Sequence, residues 1–541
     1  MKTKFIYLIL MASILSKTNC AAQALYLQWA VSFKGSGSSV GTSLAVNTNG
    51  DVYTTGSFID TVDFDPGPGI YNVISPDTNY GDCFVAKITA AGNFGNAYWF
   101  GGMGAQDIGY GIATDPQNNV YTGGYFHATA DFDPSPGNTF NLTSAGSADF
   151  FLTKSDAAGN FVWAKQVGDG GSQGCYDATV DQAGNCYAVG TWFNDLFLYK
   201  TNNLGDTLWT RRYAATQFIN PGYAVTTDAA GNVYITGYHW GLNLFPNQGN
   251  TDIFIIKYDT DGNLLWAKTM GGPNQDFGNS LAVDDSGNVY TFGFFNSTVD
   301  FNPGFGASDT FFLTSAGARD VFVSKLDAGG NFVWARRAGG TGNDTSSEIV
   351  LDDLGFIYIA GGFAGTSSYG NISLTSFGNA DAFIAKMDPA GNFVWAKQFG
   401  GTGADGCKGL AVDVSGNIYL SGNFNDTADF NPETGVYNLI SAGFTDVFVL
   451  KLSQQPLSIE ENAAMENEIF VYPNPAQDAV TISSNKEMIS IQLYNALGEK
   501  ILDIPSFQKS HSLDLSEIPA GVYMIEARNK EYLATKKLIK Q

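Results

Sequence analysis

From about Leu25 to Leu452, short apolar runs rich in aromatic and β-branched residues alternate with Asp-x-x-Gly turns. One unit shows the pattern: Ser280–Asp284, Asn288–Phe295, Asp320–Leu326 and Asn331–Arg337 each have strand length. The first two are joined by Asp284-Asp285-Ser286-Gly287 and the last two by Asp327-Ala328-Gly329-Gly330. Asp accepts backbone N–H bonds at the first turn position, and Gly takes the left-handed conformation at the fourth. Strand, turn, strand, insert, strand, turn, strand predicts a four-stranded antiparallel meander. Its strands are apolar on both faces, as a sheet packed between two neighbours requires.

Three columns repeat the unit seven times. The first is Tyr-x-x-Gly: Tyr53/Gly56, Tyr121/Gly124, Tyr187/Gly190, Tyr234/Gly237, Tyr290/Gly293, Tyr358/Gly361 and Tyr419/Gly422. The second is Asp-x-Phe-x-x-Lys, ending at Lys87, Lys154, Lys200, Lys257, Lys325, Lys386 and Lys451. The third is a Trp: Trp29, Trp99, Trp163, Trp209, Trp266, Trp334 and Trp395. The last repeat stops after its third strand, and the chain opens with the missing Trp-bearing strand, Leu27–Phe33. Closing a ring pairs these two fragments, whereas an open solenoid leaves both with unpaired edges. The fold class expected is all-β: a seven-bladed β-propeller, its last blade closed by the N-terminal strand, followed by a small Ig-like β-sandwich. The LAVD…GNVY…G…D.F..K.D..GN..W repeat resembles the bacterial β-propeller repeat known as SBBP. That resemblance implies an innermost LAVD strand and an outermost Trp strand, and it implies nothing about activity.

The blades differ between their second and third strands. Blade 3 is bare from Gly190 to Asp195, while the others carry an arm. Four arms contain Asp-Phe-Asp/Asn-Pro: Asp63–Pro66, Asp131–Pro134, Asp300–Pro303 and Asp429–Pro432. On a structural reading the Phe anchors the arm and the Pro starts its tip. On a functional reading Asp63, Asp65, Asp131 and Asp133 are carboxylates placed for Ca²⁺, a hard cation wanting several oxygen ligands. The repeated Lys reads as architecture, its stem packed and its ammonium reaching a turn carboxylate or solvent.

The ends carry an address. Lys2 and Lys4 precede the apolar run Phe5–Leu15, and Ala22-Gln23-Ala24 suits a signal peptidase, so residues 1–24 read as a signal peptide. Residues 25–452 are the propeller, 453–468 an acidic linker and 469–541 a second domain. The second domain resembles the C-terminal sorting domain of the type IX (Por) secretion system of Bacteroidetes. The match rests on Tyr472-Pro473-Asn474-Pro475, Leu493–Gly498, Pro519–Tyr523 with Gly521, and Lys536-Lys537-Leu538-Ile539-Lys540. The resemblance implies export across the outer membrane through the type IX translocon, then loss of the domain, leaving cargo released or anchored at the surface.

Charge narrows the partners. Residues 25–455 hold 17 Lys or Arg against 40 Asp or Glu, a net of −23, which repels phosphate backbones and excludes nucleic acid. No later stretch offers the roughly 20 apolar residues of a spanning helix. The mature cysteines Cys83, Cys175, Cys186 and Cys407 match no metal-ligand spacing and read as buried thiols. There is no H-E-x-x-H or Walker loop, and no G-x-S-x-G nucleophile elbow: the pattern occurs at Gly37–Gly41 and Gly170–Gly174 without the strand-to-helix turn an elbow needs. The propeller histidines His127 and His239 occupy unrelated offsets. The expectation is a non-catalytic secreted or surface propeller binding protein or neutral glycan, with specificity in the unequal arms. The alternatives are an extracellular polysaccharide hydrolase or lyase, the lyase using Tyr, Lys and Arg211 or Arg212, which nothing isolates from the repeated scaffold, and a structural surface-layer protein. A buried, non-repeated cluster of acids and bases in a central pocket would favour the enzyme.

Overall fold

In the computed structural model the described residues are 24–541, apart from 78, 136, 215–219, 241–248, 304–308, 455–468, 485–486, 489, 496–499, 506–507, 529–532 and 541. The signal segment before Ala24 and almost all of the linker lie outside them. The chain divides after Gln454 into two units.

In the first unit the meanders form seven four-stranded blades. Their innermost strands are Ser39–Val46, Ile108–Thr114, Gln173–Val180, Gly222–Thr227, Phe277–Val283, Thr345–Leu351 and Gly406–Val412. Neighbouring innermost strands touch in cyclic order, the last against the first. The N-terminal strand Leu25–Gly35 runs antiparallel to Asp446–Gln454, with Ala30 opposite Leu450 and Phe33 opposite Val447. The ring is therefore a closed seven-bladed β-propeller.

The repeated columns build the seams between blades. In blade 5 the Asp284 carboxylate accepts the N–H groups of Ser286 and Asn288 at 3.0 and 2.9 Å, and the Tyr290 hydroxyl at 3.1 Å. Lys325 lays its ammonium 4.7 Å from the Tyr290 ring centroid, and all seven column lysines repeat this contact at 4.7–5.4 Å. In five blades the Trp packs on the turn glycine of the next: Trp163 indole nitrogen donates to Asn203 O at 3.2 Å and Trp209 to Thr260 O at 3.1 Å.

Trp99 is not the seventh member of that column. Asn96 stands opposite Lys87, and Trp99 lies opposite Phe84. The Asn96 amide donates to Ala158 O at 2.8 Å, so a short polar side chain makes the bond that an indole makes elsewhere. At the split blade the turn that would receive Trp395 does not exist, and its indole nitrogen is buried with no hydrogen-bond partner.

The arms lie back on the ring instead of projecting. Asp63 pairs with Lys34, Ser368 with Gly339 and Asp429 with Gly400, and single bridges join Asp131 to Gly101 and Asp300 to Gly271. Each of these five arms thus straps its own blade to the outermost strand of the one before; the arm of blade 4, 241–248, lies outside the described residues. Phe64, Phe132, Phe301 and Phe430 are buried as anchors, with Phe64 5.1 Å from both Phe33 and Phe84.

The second unit is a β-sandwich. A three-stranded sheet (Ile469–Tyr472, Ala479–Ser484, Ser510–Asp514) and a four-stranded sheet (Lys500–Pro505, Ser490–Asn495, Gly521–Arg528, Leu533–Lys540) share a core of Val480, Ile482, Leu493, Leu513, Ile525 and Leu538. The strand Ile469–Tyr472 was not foreseen from its pattern; it is short, and Pro473 and Pro475 follow it.

Candidate functional site

Every innermost strand breaks register at the same point. The breaks fall at Gly41/Ser43, Gly109/Gly111, Cys175/Asp177, Gly222/Ala224, Gly278/Ser280, Ser346/Glu348 and Cys407/Gly409. A bulge leaves its extra residue unpaired and re-aims the side chain. The glycine of Tyr-x-x-Gly stands opposite the start of each bulge. A Cβ on Gly56 or Gly293 would lie 1.8 Å from a carbonyl oxygen of the bulged strand.

The seven extra residues are Thr42, Tyr110, Tyr176, Tyr223, Asn279, Ser347 and Lys408, and all line one cavity of about 330 Å³. The scaffold is repeated, but these side chains are not. Blades 2 to 4 contribute tyrosines; blades 1, 5, 6 and 7 contribute small polar groups and one lysine. The cavity also touches Val40 and Ile108 at the beginnings of their strands, which places it toward the end of the ring where the arms emerge.

The tyrosines continue into an aromatic arc. Ring centroids run from Tyr125 to Tyr110 (5.7 Å), Tyr110 to Tyr176 (5.5 Å), Tyr176 to Tyr223 (5.5 Å) and Tyr223 to Tyr238 (5.6 Å). Tyr238 stacks on Phe277 at 4.0 Å, Phe277 meets Phe294 at 4.7 Å, and the Arg319 guanidinium lies 4.7 Å from the Phe294 centroid. The arc spans blades 2 to 5. Its rings are half-buried except Phe294, which is buried.

The opposite wall is polar and cross-linked. The Thr42 hydroxyl donates to Gly109 O at 2.6 Å, Ser347 to Cys407 O at 2.7 Å, and the Asn279 amide to Ser346 O at 3.4 Å. Ser280 donates to Glu348 Oε1 at 2.8 Å. Burial first, then the Asp177 charge, pushes the Glu348 carboxyl up to about 8. Burial likewise raises Asp177 to about 6, against the N–H groups of Val225 and Ala178, which it accepts at 2.8 Å each. Lys408 keeps solvent contact, yet the surrounding protein holds its pKa below the usual lysine value. Asn279 Oδ1 and Ser346 Oγ are buried without a hydrogen-bond partner.

The residues singled out from the sequence fall elsewhere. Asp63 Oδ1 accepts the N–H groups of Asp65 and Tyr71, and Asp131 Oδ1 those of Asp133 and Phe140. Asp65 and Asp133 cap Gly67 and Ser135 in turn. Each pair thus shapes its own arm. Among the described residues, no group of three or more His, Cys, Asp or Glu stands close enough to hold a metal ion. His239 is fully buried against Thr269, and burial lowers its pKa to about 4. Arg211 bonds Gly262 O, and Arg212 pairs with Asp195 on the outermost strand of blade 3. The four cysteines are buried free thiols. In the second unit Asn474 Oδ1 accepts Ile539 N–H at 2.9 Å, and the Tyr523 hydroxyl donates to Pro519 O at 2.8 Å. Lys536 lies in the last strand; Gly498 and the Lys537 side chain are outside the description.

The cavity-lining column was within reach of the sequence. It stands at one offset within each innermost strand, and its chemistry changes from blade to blade. Glu348 is also one of only two glutamates, with Glu433, among the 40 acids of residues 25–455.

Comparison with known families matches residues 470–541 to the secretion system C-terminal sorting domain and 96–125, 265–293, 333–361 and 394–427 to the SBBP β-propeller repeat. The propeller thus carries SBBP repeats in the matched segments, and the second unit is a secretion system C-terminal sorting domain, the mark of a secreted or surface-anchored protein. No helix among the described residues is long and apolar enough to cross a membrane. An uncharacterized WD repeat-containing protein of Acanthamoeba polyphaga mimivirus is 25% identical over 426 residues, 71% of this chain and 29% of that protein. An endo-acting ulvan lyase of Formosa agariphila is 31% identical over 86 residues, 15% of this chain and 16% of the lyase. The chain thus spans less than a third of these relatives. Among solved structures, PorZ, a surface component of the Porphyromonas gingivalis type IX system, overlaps 92% of this chain and 70% of its own at 13% identity and a TM-score of 0.32.

Proposed function

We propose that the propeller engages a neutral extracellular polysaccharide at the arm-side mouth of its central channel. The observation that supports this reading is the aromatic arc from Tyr125 to Phe294, contiguous across four blades and, among the described residues, not continued in the other three. A pyranose ring carries an apolar C–H face and a polar hydroxyl rim. Half-buried aromatic rings facing Thr42, Asn279 and Ser347 match both sides of it. The net charge of −23 over residues 25–455 favours an uncharged polymer over an acidic one.

A catalytic version of the same reading has its own support. Glu348, Asp177 and Lys408 are acids and a base with displaced pKa values, gathered in the cavity that the repeat does not explain. Both Asp177 oxygens hold backbone N–H groups, so Glu348 is the acid free to exchange a proton.

A glycan array probed with the mature chain, beside a Tyr125→Ala/Tyr238→Ala variant, tests the binding. Retention of a neutral glycan by the wild type and its loss in the variant is the expected result. Retention by both, or selective capture of proteins alone, overturns it. Release of new reducing ends from the bound glycan, abolished in Glu348→Gln, would establish turnover.

A further inference from the structure

We infer that the cavity below the arc is a socket for the terminal sugar residue of a chain, so that the protein recognises polysaccharide ends and not internal segments. This rests on the saccharide reading above and deepens it.

Size is the first argument. About 330 Å³ is at the small end of ligand sites and suits a short saccharide, not a folded-back stretch of polymer. All seven innermost strands surround it, so no side is open as a cleft would be. A polymer lying across the mouth reaches only the arc; a residue enters the cavity only if the chain ends there.

Unmet hydrogen bonding is the second argument. Asn279 and Ser346 line the cavity, and among the described residues their Oδ1 and Oγ are buried behind its surface without a partner. Ser346 is 6% exposed. Buried polar atoms of this kind are rare because each costs its full desolvation. They flank each other in space, since the Asn279 amide donates to the Ser346 carbonyl. Turned toward the cavity, the two side chains would offer one acceptor and one donor-acceptor to the hydroxyls of a sugar.

Wall chemistry is the third. Tyr110, Tyr176 and Tyr223 meet one another edge to face, at interplanar angles of 70° and 76°. They therefore form a curved apolar wall and leave no parallel slot for a flat base. Opposite them stand Thr42, Asn279, Ser347 and Lys408. One apolar side and one hydrogen-bonding side select a ring that is itself two-faced.

The test uses the mature chain and calorimetric titration with cello-, xylo-, manno- and laminari-oligosaccharides, disaccharide to hexasaccharide, and their parent polymers. Ser347→Trp fills the cavity, and Asn279→Ala removes the unpaired acceptor with little steric change. The inference expects binding stoichiometry to follow chain ends and not polymer mass. It also expects affinity at least about tenfold weaker in Ser347→Trp and several-fold weaker in Asn279→Ala, with melting temperatures close to wild type. If the Trp variant folds poorly, the Asn279→Ala titration and the end-count on wild type carry the test. Stoichiometry that follows polymer mass, with both variants at wild-type affinity while Tyr125→Ala/Tyr238→Ala loses binding, overturns the socket and leaves the saccharide function standing. Failure of wild type to bind any neutral saccharide overturns the functional reading itself.

Discussion

At Gly293 a missing Cβ decides the geometry of a whole strand. Its neighbour across the sheet, Phe277 O, lies 1.8 Å from where that Cβ would sit, and the bulge that presents Asn279 begins there. Gly293→Ala should therefore lose about 1–3 kcal/mol through overpacking, read as a lower denaturation midpoint. A cost near zero would mean that the bulge is not held by this contact. Glu348 offers a second test at this scale. Its folded pKa, about 8, lies above the ordinary value of 4.5. A raised acid stabilises the fold while protonated, so its contribution is complete below about pH 4 and disappears as pH rises through 8. Glu348→Gln mimics the protonated form. Its melting temperature should match wild type near pH 4 and exceed it increasingly toward pH 9; the reverse order at pH 9 would show the carboxylate to be favoured.

Between neighbouring blades the relevant element is a pair of strand ends. At four of the seven seams the third-strand Asp of one blade lies near an Asp that precedes the next innermost strand: Asp82 with Asp107, Asp252 with Asp276, Asp320 with Asp344, and Asp381 with Asp405. Gly102 N–H donates to both Asp82 Oδ1 and Asp107 Oδ2 at 3.1 Å, so two acids share one donor. Burial, joined by the charge of the partner acid, raises Asp107 to about 8, Asp276 to about 7, and Asp344 and Asp381 to about 6. The seams at Gln173, Asn220 and Ser39 place neutral side chains in the second position, which fits a protonated acid at the other four. Arg337 beside Asp320 opposes the effect at one seam, and Asp77 and Asp426 add to it at two others. Stability from these groups is complete below about pH 4 and is lost progressively as pH rises from there through 6 to 8. The wild-type melting temperature should fall over that window, and an Asp107→Asn/Asp276→Asn variant should show a shallower fall. An equal slope in the variant would sink the assignment.

For the whole molecule, closure rests on Leu25–Gly35, the fourth strand of the last blade. Removing it exposes the edge of Asp446–Gln454 and uncovers Phe448 and Leu450, both fully buried. A chain lacking residues 25–35 should lose its single cooperative melting transition and associate, seen by calorimetry and light scattering. A monomer with an unchanged transition would mean that six and three-quarter blades suffice. The sandwich has its own core, so its transition should survive the deletion.

The strand pattern, the seven repeats, the split blade and the sorting motifs were all determined by the sequence alone, because each depends on local periodicity or on a short motif read along the chain. Trp99 shows where that limit falls: its presence suggested a seventh column, but register gave the slot to Asn96 three residues earlier. The arms were legible as insertions, yet only pairing to the preceding blade revealed them as straps. The cavity depended on tertiary structure most. Thr42, Tyr110, Tyr176, Tyr223, Asn279, Ser347 and Lys408 are far apart in the chain and unlike in type. The repeat offers their common offset, but only closing the ring brings seven bulges to one axis and decides which side chains then face each other.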